Sequence, residues 1–108
     1  MAAIRLREYL DAEGRSAHAK WFDSLNAAAA AKVAAALYQL AAGNFSNVKG
    51  VGAGVFERKI DFGPGYRIYF GQDGDTLIIL LGGGSKQRQQ EAIAAAKARW
   101  GDYRRRKR

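Results

Sequence analysis

The stretch Val55–Leu81, VFERKIDFGPGYRIYFGQDGDTLIILL, decides the fold. Two glycine-containing breaks, Gly63-Pro64-Gly65 and the run GQDGD at Gly71–Asp75, divide it into three apolar-rich runs. Pro64 fixes its own φ and the flanking glycines permit positive φ, so GPG reads as a tight turn. Val55–Phe62 and Tyr66–Phe70 are therefore paired strands. Thr76–Leu81 is β-branched and apolar without alternation, as expected of a central strand covered on both faces. Three strands joined by short turns predict an antiparallel meander.

Upstream, Ile4–Leu10 (IRLREYL) alternates apolar and charged residues and reads as a half-buried strand. Ser16 is placed to cap a helix from Ala17, with Trp21, Phe22 and Leu25 at helical spacing. Asn26 caps a second, alanine-rich helix whose stripe of Val33, Leu37 and Leu40 faces a core. Gly43 stops it. Gly43–Gly54 reads as loop. Downstream, Ser85–Trp100 reads as a helix and the last residues, GDYRRRKR from Gly101, as a frayed polar tail. The expectation is a single α+β domain over residues 1–108, in the order β-α-α-β-β-β-α. It has a small antiparallel sheet, an N-terminal helical hairpin and a C-terminal helix, with the helices on one face.

Composition narrows the function. A chain of 108 residues with 48% hydrophobic residues supports one packed domain. There is no cysteine, which excludes a disulfide scaffold, a thiol nucleophile and a zinc–cysteine site. The one histidine, His18, reads as a helix-surface residue and makes no metal cluster alone. The N-terminus is charged without a long apolar core, and no apolar run nears the roughly 20 residues of a membrane span. A cytoplasmic protein without membrane, metal or cofactor is expected.

The net charge is +8, unevenly placed. Residues 1–84 hold 9 Lys or Arg against 8 Asp or Glu, and residues 85–108 hold 9 against 2, giving +1 and +7. Such a basic block suits a polyanion, with a solubilising tail as the plainer reading. At the junction stands LLGGGSKQRQQ, Leu80–Gln90. A phosphate-binding P-loop needs Gly-Lys followed by Ser or Thr, whereas here Ser85 separates Gly84 from Lys86 and Gln87 follows. The run reads instead as a strand end that presents a lysine.

Strand parity collects the candidate residues. Side chains alternate between faces, so Glu57, Lys59, Arg67 and Tyr69 share one face if the apolar sets pack on the helices. That face is expected to be open, with Tyr69 as a stacking platform for a base. Cross-strand ion pairing on a solvated face is the plainer account of the three charges. Arg58 falls among the apolar residues and does not fit.

The run ERKIDFGPGYRIYF, the apolar strand after it and GGGSKQRQQ together resemble the RelE/ParE toxin superfamily, in its HigB-like, addiction module killer branch. The resemblance extends over nearly the whole chain through REY, the helical hairpin and AAGNFSNVKGVGAGVFE. It implies the toxin of a type II toxin–antitoxin system, with a cognate helix-turn-helix antitoxin in a hetero-oligomer. One kind of toxin in the superfamily is a metal-free endoribonuclease that cuts mRNA on the ribosome and blocks translation. Another poisons DNA gyrase; a non-catalytic remnant that binds only RNA or antitoxin is a third reading.

For the ribonuclease kind, the resemblance implies that Arg67 binds the scissile phosphate. It places Lys59 where the branch more often has arginine, Glu57 as a base or as a group orienting Lys59, and Lys86 as the cation after the central strand. Tyr69, Arg88, Arg99, Tyr103, Arg104 and Arg105 are the accompanying candidate RNA contacts. The chain departs from the pattern at Ile93, which stands at the tyrosine position of some members, and at Gln87-Arg88. Tyr103 substitutes only if the tail folds back.

Overall fold

The computed structural model describes residues 3–107. The strands are β1 Arg5–Glu8, β2 Val48–Gly52, β3 Val55–Ile60, β4 Tyr66–Gln72 and β5 Leu77–Ser85. The helices are α1 Ala17–Asp23, α2 Ala27–Ala41 and α3 Gln89–Lys107, the last preceded by a 3₁₀ turn over Lys86–Arg88. The helix starts follow their caps: Ser16 Oγ accepts from the Ala19 N–H at 3.0 Å and Asn26 Oδ1 from the Ala29 N–H at 2.9 Å.

The sheet corrects the expected fold in two ways. It has five strands, in the order β1-β5-β4-β3-β2, and it is mixed: β1 runs parallel to β5 and every other pair is antiparallel. The element order is β-α-α-β-β-β-β-α, one strand more than the meander predicted. The additional strand, β2, lies in the segment read as loop. Gly50 and Gly52 remove the side chains that would have signalled a strand. It joins β3 through Ala53 and Gly54, at φ 56° and 82°, the positive pair that a two-residue hairpin turn demands. An alanine hides that turn from the usual Asn-Gly signature.

The helices do not share one face. Val33, Ala36 and Leu40 of α2 pack with Ile60, Ile68, Phe70, Ile78 and Leu80. On the other face Ala96 and Trp100 of α3 pack with Tyr9, Val55, Tyr69, Ile79 and Leu81. The apolar, non-alternating β5 has both layers to serve. Gly71 makes the second layer possible: a Cβ there would lie 2.5 Å from the Trp100 ring.

The expected tail is helix to Lys107. Asp102 accepts from the Tyr9 hydroxyl at 2.7 Å and from Arg106 Nε at 2.8 Å. Tyr103 stacks on Trp100 with centroids 5.4 Å apart and donates its hydroxyl to Asp73 Oδ2 at 2.6 Å, while Lys107 pairs with Asp73. Two of the cations that made the segment look solvated instead dock it: Lys107 on Asp73 and Arg106 on the Leu10 carbonyl. His18 is also not a surface residue: it is 4% exposed, among Trp21 and Phe22, with Nδ1 buried and unpartnered among the described residues. No helix among the described residues is long and apolar enough to cross a membrane.

Candidate anion site on the α3 face of the sheet

The parity reading places Glu57, Lys59, Arg67 and Tyr69 on one face, and the register agrees: Glu57 stands opposite Tyr69 and Lys59 opposite Arg67. That face is not open. Helix α3 covers it, leaving Tyr69 0%, Glu57 1% and Arg67 6% exposed. Tyr69 therefore has no ring face to offer a base, and its expected stacking role is corrected. Strand charges usually signal solvent, so three of them concealed the cover over this layer.

Glu57 is the hub of the buried group. Its Oε2 accepts from the Tyr69 hydroxyl at 3.0 Å and from Gln89 Nε2 at 2.8 Å, and lies 3.6 Å from Arg67 Nε. Lys49 on edge strand β2 approaches Oε1 at 3.8 Å. Burial, then the neighbouring Glu57 charge, holds the Tyr69 hydroxyl protonated well above the ordinary tyrosine range. Glu57 does not orient Lys59, as one expectation had it; Lys59 pairs with Asp61 at 3.5 Å. The carboxylate instead holds Arg67 and Tyr69. Gln89, at the first position of α3, was missed because an amide in a polar run carries no sequence signal.

Arg67 is the unusual member. Its Nε and Nη1 are buried and have no hydrogen-bond partner among the described residues. A buried donor left unmade costs about 1–3 kcal/mol. The guanidinium is compensated in charge by Glu57.

Two further cations flank it. Lys59 is exposed and stands across the ladder from Arg67. Lys86 is exposed at the start of the 3₁₀ turn, and its N–H donates to the Gly65 carbonyl at 3.1 Å. A Cβ added to Gly65, at φ 86°, would lie 3.5 Å from Lys86 Cβ and 3.6 Å from Arg67 Nη1. The GPG turn thus joins Lys86 to Arg67, and GGGSK ends a strand rather than forming a phosphate cradle.

The remaining candidates separate. Arg88 and Arg99 line one groove beside the end of β5. Tyr103, Arg104 and Arg105 line a different cleft with Gln72 and Asp73. Seven-residue β4 lies between, spanning about 20 Å, so these three cannot serve the same phosphate as Arg67. Tyr103 in particular is committed to Asp73 and does not replace the tyrosine absent at Ile93. Arg58, which fitted neither face, reaches across the α2 layer to Gln39 Oε1 and to the Lys59 carbonyl. Among the described residues no cluster of three or more His, Asp or Glu is disposed to hold a metal.

No family model matches the chain. A protein of Haemophilus influenzae, described as uncharacterized, is 44% identical over 61 residues, which is 56% of this chain. The chain spans 62% of that relative's length.

Proposed function

We propose that the chain is the toxin of a toxin–antitoxin pair and cleaves mRNA on the ribosome, as its resemblance to HigB-like RelE/ParE toxins implies. The observation that carries this reading is the grouping of three cations: Arg67, charge-compensated by Glu57, with Lys59 opposite it on the ladder and Lys86 beside it across the GPG turn. Guanidinium and ammonium groups suit phosphate oxygens through charge-assisted hydrogen bonds.

In this reading the 2′-hydroxyl attacks the adjacent phosphorus. A new O–P bond forms, the P–O5′ bond breaks, and the products are a 2′,3′-cyclic phosphate and a 5′-hydroxyl. The proton lost by the 2′-oxygen is balanced by the one gained by O5′. Arg67 binds a non-bridging oxygen, and Lys59 and Lys86 stabilise the charge that grows on the phosphorane and leaving oxygen. Glu57 is a positioning residue, since it is buried and engaged by Tyr69, Gln89 and Arg67. The reading places the protein in the cytoplasm, where it would be neutralised by a helix-turn-helix antitoxin in a hetero-oligomer.

The test is to induce wild type and Arg67→Ala in a bacterial host and map new RNA 5′ ends, with translation running and blocked. Cuts within translated frames that vanish with the variant and with the block are expected. Growth arrest with DNA damage and no new ends would replace this reading with gyrase inhibition.

A further inference from the structure

A groove of about 400 Å³ lies at the end of β5. Its origin lies in the sheet. β1 pairs with β5 only as far as Leu80, so among the described residues no strand covers the outer edge of Gly82–Ser85. Helix α1 stands there instead and lays Trp21 on Gly83, where an added Cβ would come within 2.3 Å of the ring. On the other side α3 approaches Gly84, whose Cβ would lie 3.1 Å from Ala92 Cβ. The glycine run keeps a floor of bare backbone between an aromatic side chain and a basic helix.

The lining has a definite chemistry. Trp21 and Tyr66 are half-buried and bring aromatic surface. Arg88 and Arg99 bring positive charge, with Arg99 fixed by a 3.0 Å bond from Nη1 to the Leu81 carbonyl. Glu91 is the acceptor-only group of the lining. It pairs with Arg88 at 3.2 Å, both side chains about three-quarters exposed, so the pair opens at small cost. Aromatic surface for a base beside guanidinium groups for phosphate is the composition of a single-stranded nucleic acid site. The groove is next to the anion site across one strand pair: Gly84, which lines it, is the register partner of Arg67.

We propose that this groove seats the nucleotide adjoining the scissile phosphate. Its base lies against Trp21 and Tyr66, and Arg88 and Arg99 hold its backbone. Glu91 accepts from an amino group on the base edge, so bases that carry one are favoured over uracil. The proposal rests on the ribonuclease reading and adds to it a specificity-determining residue.

The test reads the base composition at the nucleotides flanking each mapped 5′ end, for wild type, Glu91→Gln and Ala95→Leu. Glu91 is exposed and Ala95 lines the groove, so neither variant removes core packing. Wild type should disfavour uracil at one flanking position by about ten-fold, in the range of one good base contact. Glu91→Gln should bring that ratio toward one. Ala95→Leu, which fills the groove, should lower cutting at all sites with an unchanged melting temperature. Arg67-dependent cuts whose base spectrum is the same in all three proteins would overturn the groove and leave the ribonuclease reading standing. No cuts by wild type would overturn both.

Discussion

Arg67 and Glu57 form an ion pair inside the protein, with Arg67 Nε 3.6 Å from Glu57 Oε2 and side chains 7% and 1% exposed. Removing one partner of such a pair strands a charge and typically costs about 3–5 kcal/mol, whereas replacing both by apolar groups is often neutral. Glu57→Ala should therefore lower unfolding stability by about that much in urea titrations. Glu57→Leu combined with Arg67→Met should recover most of it. A double variant no more stable than the single one would mean that the pair is not coupled as described.

The second layer depends on one close contact. A Cβ on Gly71 would meet the Trp100 ring at 2.5 Å. Gly71→Ala should thus cost about 1–3 kcal/mol through overpacking, with loss of near-ultraviolet tryptophan dichroism. Gly74 at φ 75° has open space around it, so Gly74→Ala tests backbone strain alone and should cost less.

Acid should weaken the protein through His18. Burial lowers its pKa below the model-peptide value of 6.5, against smaller opposing effects from Glu8 and the Gly82 carbonyl. Because the folded pKa is depressed, the unfolded chain binds the proton first. Stability is full above pH 6.5 and falls as pH drops from there through the folded pKa. Asp73 and Asp102, held below their usual 3.8 by hydrogen bonds from Lys107 and Tyr103 and from Tyr9 and Arg106, act lower, as pH falls through 3.8. Urea midpoints measured from pH 8 to 5 should fall for wild type and stay flatter for His18→Gln. Parallel curves would remove His18 as the source.

The end of α3 should loosen when its sheet-end anchors go. Asp102→Ala removes the acceptor for both Tyr9 and Arg106. Amide exchange over residues 101–107 should accelerate while exchange in β4 and β5 holds. Uniform acceleration would mean that the segment is part of the global unfolding unit.

What the sequence made legible was what short-range chemistry controls. Ser16 and Asn26 announced their helices, Gly63-Pro64-Gly65 announced a turn, and parity put Glu57, Lys59, Arg67 and Tyr69 on one face. What it concealed depends on partners distant in the chain. β2 is a glycine-containing edge strand defined by pairing with β3. α3 extends to Lys107 because Tyr9 and Asp73 anchor it from 93 and 34 residues away. The cover over Glu57 and Tyr69 was hidden because a buried carboxylate with Tyr69, Gln89 and Arg67 around it looks, residue by residue, like a solvated face. Of the site, the Arg67–Lys59–Lys86 grouping was legible from parity and resemblance. Gln89 and the Trp21 groove were not, since an amide and a packed tryptophan carry no local mark of function.

In the ribonuclease reading, Arg67 binds the scissile phosphate between Lys59 and Lys86. Single-turnover cleavage of a short message bound to purified ribosomes, by wild type and Arg67→Ala of verified melting temperature, tests it most directly. Loss of one preorganised donor to a developing oxyanion costs about 10²–10³-fold in rate. A fall of that size in Arg67→Ala, with Arg105→Ala cutting at nearly the wild-type rate, is the predicted result. Equal rates for wild type and a folded Arg67→Ala would contradict it.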